Sequence, residues 1–302
     1  MKTYLLPEPT AIELKLLALI SGSAELSAAW KRFPSGEDHV RVSGVEDRVC
    51  VIGRTAPPGD NFFRTVLLVD TLRRSGAKSI TVVLPYFAYA RQDRQTRDGD
   101  PVTAAAITRV LAAAGADRIV TADLHSVRNI ESSPIVIDSV SVIPDMAGEL
   151  KAELAGREFT VVSADHGGQE RADRFARALG RSEGAVWIEK DRDERGRVTA
   201  KRLVGRLAGD TAVIVDDILD TGGTVGEAVR LLQENGCRRF YLCVVHPVFS
   251  GNALRLVKKI GFKKIIISDA LPAPRPLPRW RQVATVGAAD RLAEAVRSES
   301  RV

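Results

Sequence analysis

Asp216 and Asp217 close an apolar run, Val213-Ile-Val215, and Asp220-Thr-Gly-Gly-Thr224 follows directly after Ile218-Leu219. An apolar-periodic stretch, Val225 to Leu232, comes next. This order predicts a strand, a tight turn and a helix. Gly222 and Gly223 let the backbone approach a ligand closely. The amides at the helix start, with the hydroxyls of Thr221 and Thr224, can grip a phosphate. The carboxylates cannot bind that phosphate, but they can accept hydrogen bonds from sugar hydroxyls or hold Mg2+ through water. A monophosphate on the glycines with a ribose over the acids is therefore the ligand this stretch suits. Asp and Thr would also cap an ordinary helix, but that leaves the apolar strand and the acid pair unexplained. The chain carries neither a Walker loop nor a Gly-x-Gly-x-x-Gly fingerprint, which argues against a P-loop kinase and a dinucleotide enzyme.

Three further segments place polar residues at the ends of apolar runs. In Leu84-Pro-Tyr-Phe-Ala-Tyr-Ala-Arg-Gln-Asp93, Arg91 can clamp polyphosphate oxygens in pairs, and Gln92 can hydrogen-bond an adenine or ribose edge. In Thr121-Ala-Asp-Leu-His125, a neutral imidazole can ligate a divalent metal or meet a phosphate. In Val161-Val-Ser-Ala-Asp-His-Gly-Gly168, Asp165 can hold Mg2+, and the glycines again open a helix start to anions. His166 reads as structural or supporting.

The elements that must position these residues follow one rhythm: a helix ends at Gly, a polar residue or two follows, and a β-branched run begins. The pattern occurs at Thr71–Gly76 before Ile80–Leu84, and at Leu111–Gly115 before Ile119–Thr121. It recurs at Leu231–Gly236 before Phe240–Val245, and at Lys258–Gly261 before Ile265–Ile267. Gly at the position after a helix is the usual stop. Alternating helices and strands imply right-handed βαβ units and parallel sheets covered on both faces. The fold class is α/β, with two similar domains, each a mostly parallel sheet flanked by helices. The expected domains are residues 1–143 and 144–285, with the final helix, 288–298, packing back on the first. Ligands are expected in the cleft at the carboxyl ends of the strands.

The chain has 302 residues, 45% of them apolar, and a net charge of +6. That length suits two domains. The charge favours an anionic partner, and without a run of Lys and Arg this points to phosphorylated small molecules rather than nucleic acid. Cys50, Cys237 and Cys243 form neither a disulfide framework nor a zinc site. The opening has no apolar signal core, and no 18-residue uncharged apolar run occurs. A soluble, cytoplasmic protein with no membrane partner is expected.

The acid-glycine loop resembles the phosphoribosyl-diphosphate loop of the phosphoribosyltransferase fold. The Ala-Arg-Gln-Asp, Asp-Leu-His and Asp-His-Gly-Gly segments resemble the ribose-phosphate pyrophosphokinase family in particular, closer to its archaeal-like form. Lys31-Arg-Phe-Pro-Ser-Gly-Glu37 and Trp187-Ile-Glu-Lys-Asp-Arg192 look like two more of its motifs. The resemblance covers nearly the whole chain in the right order. It implies transfer of the diphosphate of Mg-ATP to ribose 5-phosphate, with Mg2+ as cofactor. It implies ATP contacts from Phe33, Glu37, Arg91, Gln92 and Asp93. His125 and Asp165 would be metal ligands. Asp216, Asp217, Asp220, Thr221, Gly222, Gly223 and Thr224 would hold ribose 5-phosphate. Lys190 and Arg192 would be the cations of a closing catalytic loop. The family also implies a homo-oligomer, a dimer or a hexamer built from dimers, in which the Phe33 segment serves a neighbouring subunit. This sequence departs from the family pattern at Ser35, where an acid or amide is usual, and at Ala164, where Pro is usual. The rival readings are a phosphoribosyltransferase, which needs only one such domain, and a non-catalytic regulatory homologue, which should have lost the cation pair or the sugar loop.

Overall fold

A computed structural model describes residues 1–22, 28–126, 128–192, 198–272 and 281–298, with the side chains of 190–192 and 198–201 outside that description. The chain divides into two units, Met1–Ser141 with Gly287–Val302, and Val142–Val286.

Unit 1 is built on a five-stranded, all-parallel sheet ordered β1-β4-β5-β6-β7. Its strands are β1 (Lys2–Leu5), β4 (Arg48–Ile52), β5 (Ser79–Leu84), β6 (Arg118–Ala122) and β7 (Val136–Val140). The helices are α1 (Ala11–Ser21), α2 (Asp60–Arg74), α3 (Thr103–Ala114), the short α4 (Arg128–Glu131) and, from the end of the chain, α9 (Ala289–Ser298). Helix α9 packs against α1, β6 and β7. The Arg118 guanidinium fastens it by donating to the Ala295 carbonyl at 3.2 Å, while pairing with Asp138 on β7. A separate antiparallel hairpin, β2 (Ala28–Arg32) and β3 (Asp38–Val42), packs on α2.

Unit 2 carries a seven-stranded sheet ordered β10-β9-β8-β11-β12-β13-β14. Its strands are β8 (Thr160–Ser163), β9 (Val186–Arg192), β10 (Val198–Val204), β11 (Thr211–Ile218), β12 (Arg239–His246), β13 (Lys264–Ser268) and β14 (Val283–Val286). Only the β9–β10 pair is antiparallel. The helices are α5 (Ile143–Leu154), α6 (Gln169–Ala178), α7 (Gly223–Glu234) and α8 (Ala253–Ile260).

The helix-glycine-strand rhythm is present in all four places, because sheets covered on both faces demand apolar strands and sharp helix exits. Gly115 shows why the exit residue is fixed. Its φ is +112°, and an added Cβ would come within 2.8 Å of the Arg73 side chain. Each unit buries a large apolar cluster, of which Leu68, Ile80 and Ile119, and Ile214, Leu232 and Ile265, are enclosed members. The expectation for α7 is corrected by two residues: the helix starts at Gly223, not Val225. Gly222, at φ +82°, turns the chain into the helix at once, a conformation that other residues resist.

Candidate active site

In unit 2 the polar residues gather at the carboxyl ends of two adjacent parallel strands, β8 and β11, whose register sets Ser163 beside Val215. Asp165 follows β8, and Asp216 and Asp217 lie in the last turn of the β11 ladder. Asp165 Oδ1 accepts the Gly168 amide at 3.0 Å. This caps the single 3-10 turn His166–Gly168 that leads into α6. A Cβ at Gly168 would come within 2.7 Å of Ser163 Oγ, so this corner closes only around glycine. The His166 ring rests against the Trp187 ring, with centroids 4.7 Å apart.

Beyond β11 the turn is pinned to the next strand's exit. The Leu219 amide donates to the His246 carbonyl at 3.1 Å, and the Phe249 amide donates to the Leu219 carbonyl at 2.8 Å. The Ser250 hydroxyl donates to the Asp220 carboxylate. The first amide to close the α7 ladder is Gly226, bonded to the Gly222 carbonyl at 2.8 Å. The amides of Gly223, Thr224 and Val225 precede it and suit an outside acceptor. Space above Gly223 is open: an added Cβ would meet only Thr221 Oγ1, at 3.8 Å. The turn is therefore shaped to receive an anion, with the macrodipole of α7 behind it.

Asp217 is 4% exposed and faces a residue that the motif reading passed over. Arg171, three residues into α6, brings Nη1 to 3.4 Å from Asp217 Oδ1. Burial, above all, and then the neighbouring Asp217 charge and hydrogen bond push the Asp216 carboxyl well above the usual carboxylate range. Asp165 adds to the rise and Arg171 opposes it. Two adjacent acids in one desolvated site resist carrying two charges.

In unit 1 the corresponding edge is formed by β5 and β6, where Leu84 lies beside Thr121. The chain leaves β5 through a tight loop. The Gln92 amide donates to the Tyr89 carbonyl at 2.9 Å, with Tyr89 at φ +64°. Arg91 and Gln92 are exposed, and the Thr103 hydroxyl donates to the Gln92 side-chain carbonyl, which leaves the Gln92 NH2 as a donor for a ring nitrogen. The Asp93 carboxylate is 10% exposed and lies 3.7 Å from Arg128 Nη1, so Asp93 braces this loop from within. Asn129 adds a second brace, donating to the Ala90 carbonyl at 2.9 Å. After β6, the buried Asp123 takes φ +35° and accepts the Ser141 hydroxyl at 2.7 Å, fixing the backbone from which half-buried His125 projects.

Phe33 and Glu37 stand at the tip of the β2–β3 hairpin. The Phe33 ring is 39% exposed, with Lys31 Nζ 5.0 Å from its centroid. Ser35 donates its hydroxyl to Glu37 Oε2 at 2.7 Å. Lys190 and Arg192 belong to β9, in register with Ala200 and Val198 of β10. Their side chains, and residues 193–197 of the proposed catalytic loop, lie outside the described residues.

Among the described residues no three His, Cys, Asp or Glu side chains cluster as a metal cage. That fits Mg2+, which keeps several waters and is usually held by one or two protein groups together with substrate phosphates. Asp165, at the carboxyl end of β8, is the unit 2 carboxylate of the chemistry such an ion takes. The three cysteines are buried. Burial pushes the Cys50 thiol up to about 12, so it is inert rather than reactive. No helix among the described residues is long and apolar enough to cross a membrane.

The chain matches two family descriptions, the N-terminal domain of ribose phosphate pyrophosphokinase over residues 15–115 and the phosphoribosyl transferase domain over residues 126–273. A ribose-phosphate pyrophosphokinase of Bacillus caldolyticus is 34% identical, over 86% of this chain and 82% of the relative. This chain belongs to the ribose-phosphate pyrophosphokinase family. A ribose-phosphate pyrophosphokinase of Gloeobacter violaceus is 33% identical, over 93% of this chain and 85% of its own length. The crystal structure of phosphoribosylpyrophosphate synthetase from Mycobacterium smegmatis superimposes with a TM-score of 0.85 at 28% identity, covering 99% of both chains. The two units are thus the two phosphoribosyltransferase-type domains of the family.

Proposed function

We propose that this chain transfers the β,γ-diphosphate of Mg-ATP to the anomeric hydroxyl of ribose 5-phosphate, giving 5-phosphoribosyl 1-diphosphate and AMP. The observation that carries the reading is the open turn above Gly223, with α7 amides behind it and the acid pair one turn upstream. The 5-phosphate sits on Thr221, Gly222, Gly223 and Thr224, and Asp220 is held by Ser250 to frame the turn. The Asp216–Asp217 pair serves the 2- and 3-hydroxyls. ATP is taken by unit 1: Arg91 clamps polyphosphate oxygens, Gln92 donates to adenine, and Asp93 braces their loop. Phe33 stacks on the base, and Glu37 accepts from its amino group.

His125 in unit 1 and Asp165 in unit 2 are each a proposed Mg2+ ligand, and the ion would supply charge neutralisation on the polyphosphate. The anomeric oxygen approaches the β-phosphorus in line, and the bond to the α,β-bridging oxygen breaks as AMP leaves. Little covalent chemistry falls to the protein, so positioning and charge stabilisation carry the rate. Lys190 and Arg192 supply cations to the oxygens that gain charge.

A homo-oligomer, a dimer or a hexamer of dimers, is the proposed assembly, supported by the exposed ring of Phe33 at its hairpin tip. The cytoplasm is the proposed compartment, supported by three buried cysteines that remain thiols. The test is incubation of the purified protein with Mg-ATP and a panel of sugar phosphates, read by phosphorus NMR. AMP and a sugar diphosphate should form in equal amounts, fastest with ribose 5-phosphate. ADP as the nucleotide product would reject the reading.

A further inference from the structure

Arg171 is a charged residue on the buried face of α6, beside Ala172 and Phe175, which are fully enclosed. Its side chain is 7% exposed and that of Asp217 is 6% exposed. Its Nε is buried without a hydrogen-bond partner. A buried ion pair is weak evidence of a gain in stability, and a buried unpaired donor is a cost. An apolar side chain of similar length would serve the packing of α6 equally well. The arginine therefore answers to something other than the core.

What it reaches is the second acid of the pair. Nη1 lies 3.4 Å from Asp217 Oδ1. The guanidinium is also fitted to the corner below the other site carboxylate: a Cβ on Gly168 would come within 3.3 Å of the same Nη1, and the Gly168 amide is the one that Asp165 accepts. Arg171 thus spans the ends of β8 and β11. Asp216, by contrast, is half-buried, and its Oδ1 accepts the Asp217 amide at 2.9 Å, so the two adjacent acids have different surroundings.

We propose that Arg171 is a positioning residue that divides the acid pair: it holds Asp217 inside the fold as its own partner and leaves Asp216 as the carboxyl group presented to the sugar hydroxyls. The inference rests on the sugar-phosphate reading of the turn and sharpens it, since one acid of the two makes the direct contact and the other sets its place. Removing the guanidinium frees Asp217 to swing or to draw a proton, and the sugar loses its aligned acceptor. ATP, bound by other residues, does not feel the change.

The test measures ribose 5-phosphate binding by calorimetry, KM for both substrates and kcat, for wild type and for Arg171→Met, Arg171→Lys, Asp217→Asn and the double variant Arg171→Met/Asp217→Asn. Truncating one member of a buried charge pair is costly. Arg171→Met should therefore weaken ribose 5-phosphate binding by roughly 30-fold, with KM for Mg-ATP changed by less than about threefold. Arg171→Lys, which keeps the charge without the fork, should recover part of the loss. Because Arg171 acts through Asp217, the double variant should bind the sugar about as well as Asp217→Asn alone. The double variant leaves neither charge of the pair buried alone, and in Asp217→Asn the amide oxygen remains as an acceptor for Arg171, so the comparison is readable even where Arg171→Met does not fold. Losses that multiply in the double variant, or an Arg171→Met protein with unchanged sugar binding, would overturn the division of labour. If wild type itself binds no ribose 5-phosphate, the sugar-phosphate reading fails instead.

Discussion

The Arg64 guanidinium on α2 grips the Asp38 carboxylate on β3 with both arms, Nε at 2.7 Å and Nη2 at 3.2 Å. This pair joins the β2–β3 hairpin to the body of unit 1, helped by Arg32 at 4.0 Å from the same carboxylate and by Trp30, whose Nε1 donates to the Leu5 carbonyl at 3.0 Å. The hairpin is not part of the five-stranded sheet, so these contacts fix the aim of Phe33 and Glu37. Asp38→Asn, which halves the bidentate grip, should raise KM for Mg-ATP by roughly three- to tenfold with kcat nearly unchanged, as expected for loss of uniform binding. Steady-state kinetics at varied ATP checks it.

The same pair has a pH signature. The hydrogen bond from Arg64, opposed in part by burial, holds the Asp38 carboxyl below the usual carboxylate range. A folded-state value below the unfolded one means stability that is present above about pH 4 and lost as pH falls through the depressed value. Urea unfolding from pH 6 down to pH 2 should show a steeper acid loss for wild type than for Asp38→Asn, and the two curves should converge at the acid end.

Gly223→Val separates binding from folding. The open space there admits a side chain, and Gly223 is the first helical residue of α7 with φ outside the left-handed region, so the melting temperature should hold within a few degrees. The added methyls would occupy the anion's place, and KM for ribose 5-phosphate should rise by about tenfold or more. Gly222→Ala should behave differently. At φ +82°, with Leu256 Cδ2 3.0 Å from the added Cβ, it should cost about 1–2 kcal/mol in stability, read by denaturant unfolding.

Lys190→Ala should lower kcat by roughly two orders of magnitude while altering both KM values far less, because its charge is needed chiefly when the β-phosphorus changes partners. Single-turnover rates at saturating substrates check it. An unchanged rate would remove Lys190 from the mechanism.

Arg118→Met tests how the final helix is held. The guanidinium is 9% exposed, is paired with Asp138, and donates to the Ala295 carbonyl of α9. Asp138 is 38% exposed and turns to water, so the loss should be about 1–2 kcal/mol in urea unfolding, with no change in KM for ribose 5-phosphate, the proposed ligand of unit 2.

The α/β architecture and the strand-turn-helix order of residues 213–232 were legible because their signals are local. Gly115, Gly236 and Gly261 mark helix exits, β-branched runs mark covered strands, and the Asp216–Thr224 order maps directly onto strand, turn and helix. Arg171 was not legible from motifs, since Arg174 and Arg177 in the same helix look identical in type. One signal did exist: residues 171, 172, 175 and 176 form the buried stripe of α6, and a lone arginine on that stripe needs a partner. The early start of α7 escaped because a glycine at φ +82° can begin a helix where a propensity count sees a loop. The β2–β3 hairpin was not legible; only the Phe33 segment at its tip was singled out, through its resemblance to the family. Its anchors, Arg64 and Asp38, are 26 residues apart and have no common motif.

The central claim is that backbone amides at the start of α7 hold the sugar phosphate. Amide-resolved NMR of nitrogen-labelled protein, titrated with ribose 5-phosphate, tests it most directly. The Gly223 and Thr224 resonances should shift and saturate together with the binding isotherm. Saturable binding that leaves both resonances unmoved would contradict it.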